Sequence, residues 1–286
     1  METRPFGKTG EEFPILSLGC QRIVEAHQCT EDEAIAILNT AIDRGIRYFD
    51  TAWLYSAGES ESRVGLVAKD RRKEMWIATK AWDRKKDEAR KQLEESLARL
   101  QTDHVNEWRM HDVKSIDDLD ACFAKGGVME AMLEARDEGL VKNISLSGHT
   151  NPQVQIEALR RFDFDSVLIA VSVLDHFIYS FAEEFLPTAQ AKGVATIGMK
   201  VFAFGKLGHV YDRALRYALG LPVSTVIVGC SSMEELEKDL AVAENFVPLT
   251  DEERLELFRE VLPLVKPANM AWKADEWQNP SRWAGR

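Results

Sequence analysis

Four residues able to move protons stand at or just after the ends of apolar segments: Asp50, Tyr55, Lys80 and His111. A tyrosine, whose pKa is ordinarily near ~10, is a poor acid–base catalyst at neutral pH, and a neighbouring cation lowers that pKa. Lys80 could supply the cation, Asp50 could hold its ammonium group, and His111 could orient a substrate oxygen. The set is therefore equipped to place a proton on a carbonyl oxygen.

The spacing of these residues predicts that they lie together. Asp50 and Lys80 are 30 residues apart, and Lys80 and His111 are 31 apart, each about the length of one βα unit. In a parallel barrel the active site forms at the carboxyl ends of the strands, where such side chains are neighbours. One aspartate or lysine at a strand end is more often a helix cap or a solvated charge. Four titratable groups at successive ends favour a functional site.

Short apolar segments alternate with amphipathic helical patterns along most of the chain, and no Pro-, Gly- or Ser-rich linker interrupts them. Segments that are apolar on both faces are typical of parallel strands covered by helices. The glycine fingerprint of a doubly wound dinucleotide fold is missing. The pattern predicts an α/β protein, a (β/α)8 TIM barrel. The eight predicted strands are 15–19, 46–49, 74–79, 104–110, 141–147, 167–172, 194–199 and 224–228.

We expect one domain over residues 1–286, with an N-terminal hairpin (1–14), the barrel (15–247) and a C-terminal helix and tail (248–286). The fourth predicted strand is unusually polar, since it contains Glu107 and Arg109. Either its alternate residues face a polar barrel interior, or the barrel is modified there.

Composition excludes several classes of function. The 36 basic and 47 acidic residues give a net charge of −11, which argues against nucleic acid or an anionic membrane as the main partner. No apolar segment approaches the roughly 18 residues of a membrane span. The four cysteines are scattered without a metal-binding or disulfide spacing, which indicates free thiols, a cytoplasmic location and no metal site.

The sequence resembles the aldo-keto reductases over nearly its whole length, and most of all their bacterial and archaeal branch. No cysteine follows Cys230, so we expect this chain to lack the iron–sulfur module of some relatives. The resemblance implies hydride transfer from a nicotinamide cofactor to an aldehyde or ketone. In that reaction Tyr55 would be the general acid, tuned by Lys80 and its partner Asp50, and His111 would orient the carbonyl. The matching landmarks are 4–10, 49–52, Tyr55, 78–80, His111, 147–149 and 226–237.

The resemblance also implies a cofactor site, with several departures from the family pattern. Gly148 replaces an asparagine, Met199 replaces a stacking aromatic residue, and Ser232 replaces an arginine. NADP(H) is the implied cofactor, and NAD(H) is the alternative that the carboxylates of Glu235 and Asp239 would favour. The expected cofactor-binding residues are Gly19, Cys20, Gln21, Ser147, Gly148, His149, Met199, Lys200, Val201, Phe202, Gly205, Leu207, Gly229, Ser231, Ser232, Glu235 and Asp239.

Two tryptophans next to the proton-transfer residues, Trp53 and Trp82, are candidates to wall a substrate pocket, with core packing as the other interpretation. The expected substrate is a small carbonyl compound. The sequence leaves its identity and the oligomeric state open. The alternative function is a cofactor-binding redox sensor or regulatory subunit with little turnover, as in the potassium-channel beta subunits of the same family.

Overall fold

A computed structural model describes residues 1–273 of the chain, and its central feature is a closed barrel of eight parallel strands. Each strand pairs with the next in sequence, and the last pairs with the first through Val226 and Leu16. The predicted TIM barrel is thus confirmed. The barrel strands are β3 (Leu16–Gly19), β4 (Tyr48–Asp50), β5 (Trp76–Ala81), β6 (Val105–Met110), β7 (Val141–Gly148), β8 (Ser166–Ala170), β9 (Ala195–Met199) and β10 (Thr225–Val228).

Helices cover the outside of the barrel. The first begins where the sequence predicts, because Thr30 accepts a bond from the Glu33 backbone N–H and Glu33 reaches back, which forms a capping box. The helices are α1 (Glu31–Asp43), α2 (Glu59–Arg71), α3 (Lys86–Leu100), α4 (Ile116–Phe123), α5 (Val128–Asp137), α6 (Pro152–Arg161), α7 (Leu186–Ala191), α8 (Tyr211–Leu219), α9 (Met233–Glu244) and α10 (Asp251–Val261).

Helix α7 is shorter than its sequence pattern, which extends over 179–192. One π-helical turn, Phe181–Phe185, precedes it, and the regular helix starts at Leu186. Pro187 lacks a backbone N–H and fits only the first turn of a helix, so it fixes the start of α7.

The N-terminal hairpin closes the bottom of the barrel. Strands β1 (Thr3–Pro5) and β2 (Glu12–Pro14) pair antiparallel. Phe6, which follows β1, and Phe13, which lies in β2, are fully buried. Their rings pack edge-on at 4.9 Å and contact Tyr48 and Trp76 inside the barrel. Burying two phenylalanines removes apolar surface from water and shuts this end of the barrel.

The polar strand predicted over 104–110 is β6, and its polar residues face a polar barrel interior. This was one of the two alternatives left open by the sequence. Glu107 and Arg109 are fully buried inside the barrel, whereas Trp108 between them joins the apolar layer under the helices. Successive side chains of a strand point to opposite faces, which explains the alternation.

The end of the described chain is fastened to the loop that follows β8. Asp175 accepts a hydrogen bond from the Trp272 indole at 2.9 Å and pairs with the buried Lys273 ammonium at 3.0 Å. We call these three residues the clasp. Trp277 and Trp283 of the predicted tail lie outside the described residues. None of the helices between residues 1 and 273 is long and apolar enough to cross a membrane.

Candidate active site

The proton-transfer residues converge at the carboxyl ends of β4, β5 and β6. Lys80 Nζ lies 2.5 Å from Asp50 Oδ1, 2.7 Å from the Thr51 carbonyl oxygen and 3.2 Å from the Tyr55 hydroxyl. The Lys80 and Asp50 side chains are almost completely buried, each about 1% exposed. A buried ammonium with three oxygens around it is held in a fixed position.

A second cation, absent from the sequence-based set, reaches the same carboxylate from below. Arg109 Nη1 lies 2.5 Å from Asp50 Oδ2, so Lys80 and Arg109 each bind one oxygen of Asp50. Arg109 also donates to the Tyr48 hydroxyl at 2.7 Å, and that hydroxyl donates to Glu107 at 2.5 Å. We call Tyr48, Asp50, Lys80, Glu107 and Arg109 the interior network. Two cations balance two carboxylates in it, as buried charges require.

Burial governs the ionisation of the central pair. It raises the pKa of Tyr55, and the negative charge of Asp50 raises it further, while Arg109 acts in the opposite direction. Burial lowers the pKa of Lys80 to about 8, against the pull of Asp50. The expectation that Lys80 lowers the pKa of Tyr55 is therefore wrong as a net direction here, because the loss of water around the phenol outweighs the neighbouring cation. At neutral pH the Tyr55 hydroxyl keeps its proton and can donate it.

His111 presents a neutral ring to this cluster. Burial, followed by the charge of Lys80, lowers the pKa of His111 well below its usual value. The ring lies edge-on to Tyr55 at 5.8 Å and to Trp82 at 5.4 Å. A neutral imidazole beside a phenol can donate a hydrogen bond to an oxygen bound between them.

An elongated cavity of about 560 Å³ leads from this cluster along the barrel rim, and its size suits an organic ligand. It is lined by most of the expected cofactor residues together with some that the sequence did not suggest, among them Arg22 and His27. The expected site residues that line it are Gly19, Gln21, Asp50, Tyr55, Lys80, His111, His149, Met199, Lys200, Val201, Phe202, Gly205, Gly229 and Glu235.

The remaining expected cofactor residues lie outside this lining: Cys20, Ser147, Gly148, Leu207, Ser231, Ser232 and Asp239. Ser231 and Ser232 adjoin its far end, and the others have packing roles. The thiol of Cys20 is fully buried, and Ser147 accepts a bond from the Asp112 backbone N–H. A side chain at Gly148 would collide with Gln155, Leu207 packs in the C-terminal apolar cluster, and Asp239 accepts a bond from Tyr211.

The far end of the cavity meets the start of α9, where Ser232 is the N-cap. Arg22, from the turn after β3, donates to Ser231 at 3.0 Å and to Glu235 at 3.1 Å. The other oxygen of Glu235 accepts the Ser231 backbone N–H at 2.8 Å. A carboxylate of the chain itself thus fills the anion-binding position of this helix start. Its Arg22 partner comes from the opposite end of the sequence, so spacing gave no signal for it.

The two candidate substrate tryptophans have different surroundings. Trp82 is 42% exposed and lines a second cavity of about 500 Å³, which shares His149 with the first and also includes Trp272. Trp53 lies outside both linings, because its indole donates to Glu95 of α3 at 2.7 Å. For Trp53 the packing interpretation applies.

Comparison with known proteins agrees with this architecture. A sequence model described as the Aldo/keto reductase family matches residues 16–213, which is more than half of the chain. The chain belongs to the aldo/keto reductase family. The resemblance noted from the sequence is thereby confirmed, and with it the prediction of a reductase enzyme.

The individual relatives have low sequence identity but match over most of the chain. The chain is 27% identical to an uncharacterized oxidoreductase of Bacillus subtilis, over 88% of this chain and 94% of that protein. It is 26% identical to L-galactose dehydrogenase of Arabidopsis thaliana, over 98% of this chain and 99% of that protein. Among solved structures, the holo form of an aldo-keto reductase from Bacillus halodurans is 26% identical, with a TM-score of 0.74, over 91% of this chain and 96% of that one.

Proposed function

We propose that this protein reduces an aldehyde or ketone at the cluster of Tyr55, Lys80, Asp50 and His111, with NADP(H) as its cofactor. The observation that supports the proposal is the 3.2 Å approach of the Lys80 ammonium to the Tyr55 hydroxyl at the closed end of the cavity. Family membership points to the same class of reaction. A solved family member from Klebsiella pneumoniae, 18% identical and alike in fold, is described as a complex with NADPH.

The residues along the cavity suit a dinucleotide. One end has a neutral, apolar floor of Leu168, Met199 and Ile227, which suits an uncharged nicotinamide ring. The other end has the Arg22 guanidinium and the N-terminus of α9, which suit a phosphate that displaces the Glu235 carboxylate now held there. Between them lies Gly205, with φ of +85° and open space within 4 Å of the position that a Cβ would occupy, so a ligand can approach the backbone closely there.

In this proposal the bound cofactor supplies a hydride to the carbonyl carbon. Tyr55 donates its hydroxyl proton to the carbonyl oxygen as that oxygen gains negative charge. The Lys80 ammonium stabilises the phenolate that remains, and Asp50 and Arg109 keep that ammonium in position. His111 and Tyr55 together define where the oxygen binds. A bound substrate would exclude the water that otherwise competes for these donors.

The first test is cofactor oxidation with a panel of carbonyl compounds. Purified protein is titrated with NADPH and with NADH, and the loss of reduced-cofactor absorbance is then followed after adding short aldehydes, aromatic aldehydes and ketones. We expect saturable turnover with at least one class. Tight cofactor binding with negligible turnover across the panel would contradict the proposal and favour the redox sensor.

Glu235 is expected to set the preference between the two cofactors. In Glu235→Gln we expect NADPH to bind about tenfold more tightly, with NADH affinity unchanged within about threefold, because Arg22 is freed for a 2′-phosphate and a repelling charge is lost. Dissociation constants from fluorescence titration measure the effect.

Glu237→Gln is the matched control for this change. Glu237 lies on the same helix but pairs with Arg44 at 2.8 Å, away from the cavity. An equal gain for NADPH in both variants would mean that net charge, rather than contact with Arg22, determines affinity.

A further inference from the structure

Lys200 differs from the other cations of the site. It lines the cavity at the end of β9, and its ammonium lies 4.6 Å from the ring centre of Phe204 and 5.6 Å from that of Trp272. In the part of the chain that the structure describes, no hydrogen bond or ion pair joins this ammonium to another group. Aromatic faces attract a cation but do not neutralise its charge.

Every other lysine or arginine lining the two cavities has an acidic partner. Lys80 pairs with Asp50, Arg22 with Glu235, Arg84 with Asp118 and Lys114 with Asp112. The two cavities therefore have one uncompensated cation among residues 1–273, and it is Lys200.

The acidic groups near Lys200 are already used. Asp112 pairs with Lys114 at 3.3 Å through one carboxylate oxygen, its other oxygen faces the neutral ring of His149, and Asp175 belongs to the clasp. Their charges raise the pKa of Lys200 only in part, since burial, the larger effect, lowers it. An anionic ligand would relieve this cost of burying a charge.

The backbone at this position is also unusual. Lys200 has φ of +64°, a left-handed conformation that a residue with a side chain rarely adopts. Such strain persists where the surroundings impose it, and it occurs often at binding sites. Phe204, one of the two aromatic partners, is 65% exposed, so solvent and ligands can reach the ammonium from that side.

The position of the charge separates the reacting end of the cavity from the Arg22 end. Burial, followed by the charge of Lys200, lowers the pKa of His149, and Lys200 also contributes to the lowered pKa of His111. Lys200 thus acts on His111, which borders the proposed carbonyl position, and on His149. A single ammonium near two aspartates suits a monoanion better than a phosphate dianion.

We infer that Lys200 binds the carboxylate of the substrate, so that the carbonyl compounds reduced here are oxo acids or aldehyde acids. This inference rests on the proposed carbonyl reduction. It assigns the substrate class through contact with one residue. The carbonyl end would meet Tyr55 and His111, and the carboxylate end would meet the Lys200 ammonium beside the edge-on pair of Phe204 and Trp272.

The test compares acids with their neutral esters. Steady-state reduction with NADPH is measured for 4-carboxybenzaldehyde and methyl 4-formylbenzoate, and for succinic semialdehyde and its methyl ester. We expect the wild type to prefer the acid of a pair by about 10- to 100-fold in kcat/KM. Lys200→Met should abolish that preference, chiefly by raising KM for the acid, and Lys200→Arg should retain it.

Lys114→Met is the matched control. Lys114 lines the second cavity but is already paired with Asp112, so this variant should keep the preference for the acid. A second readout needs no turnover: calorimetric titration of benzoate and benzamide into the protein. Wild type should bind benzoate more tightly than benzamide, and Lys200→Met should not distinguish them.

Three results would overturn the inference. One is equal kcat/KM for acid and ester in the wild type, which would leave the reductase function standing. Another is a loss of NADPH affinity in Lys200→Met with acid preference intact, which would place Lys200 on a cofactor phosphate. The third is benzoate binding that does not depend on Lys200. If no carbonyl compound is reduced while benzoate binding still requires Lys200, the proposed reduction fails and the anion site remains.

Discussion

Tyr55→Phe is expected to lower kcat by about 10²- to 10⁴-fold, the usual contribution of a positioned general acid. The change removes one oxygen, the atom that lies 3.2 Å from Lys80 Nζ, and keeps the ring that packs against His111. Cofactor affinity should change by less than about threefold, since Tyr55 contributes only part of the cavity wall. Stopped-flow or steady-state kinetics measure the first quantity, and fluorescence titration the second.

Tyr217→Phe is the control for this substitution. Tyr217 is a buried tyrosine on α8 and is not among the residues that line the cavity. It should retain full activity. Turnover by Tyr55→Phe within about fivefold of wild type would show that another group donates the proton, and the neutral His111 would be the first alternative to examine.

The pH dependence adds a signature of the same arrangement. The pKa of Lys80 is about 8, so kcat/KM for reduction should fall as pH rises through that value and the ammonium is lost. The effect on stability has the opposite sign. Because the pKa of Lys80 is depressed on folding, the unfolded chain binds more protons between about 8 and the usual value of lysine, and this residue's contribution to stability improves with rising pH there.

Arg109→Leu should have the largest effect on stability. It leaves Asp50, Glu107 and the Tyr48 hydroxyl without their shared cation inside the barrel. Removing one partner from a buried ion pair costs about 3–5 kcal/mol of unfolding free energy. Denaturant titration of the purified variant measures this loss, and part of the expressed protein is expected in the insoluble fraction.

Two companion variants separate folding from positioning. Arg109→Lys retains a cation and should recover most of the stability, although its single nitrogen lacks the fork with which the guanidinium reaches Asp50 and Tyr48 from two separate nitrogens. The charge of Arg109 lowers the pKa of Lys80, so the alkaline limb of the pH profile should move upward in Arg109→Leu, which removes that charge. In Glu107→Leu combined with Arg109→Leu, one charge of each sign is removed, and stability should exceed that of Arg109→Leu alone.

An unchanged pH profile in the soluble fraction of Arg109→Leu, together with wild-type kcat, would contradict a positioning role. Arg109 would then be only part of the barrel packing. A shifted profile in a variant that unfolds at nearly the wild-type denaturant concentration would confirm it.

Much of the architecture was predictable because it depends on local periodicity. Apolar segments of strand length, caps such as Thr30 and turns set the elements, and the spacing of Asp50, Lys80 and His111 placed three side chains on one rim. The contacts between distant parts of the chain were not predictable in this way. Arg22 meets Glu235, and Trp272 meets Lys200, only because the barrel closes and the clasp returns the chain to the rim.

The directions of the side chains were also not predictable from the sequence. Periodicity marked residues 104–110 as a strand, but not whether Arg109 would reach Asp50. Trp53 and Trp82 have equivalent places in the sequence, yet Trp53 turns to Glu95 because α3 offers it an acceptor. Loop residues take their orientation from partners that a single sequence does not identify.

The closure of the barrel through β3 and β10 has a consequence for how the protein is made. Leu16 leaves the ribosome about two hundred residues before its partner Val226, and at ~5–20 residues per second that interval lasts roughly ten to forty seconds. During that time one edge of β3 lacks its partner strand. Arg4 also lacks its hydrogen-bond acceptors, which are the carbonyl oxygens of Leu219, Leu221 and Val223. Phe6 and Phe13 of the hairpin share an apolar cluster with Ile227 of β10, so their burial is completed only after that late segment has been made.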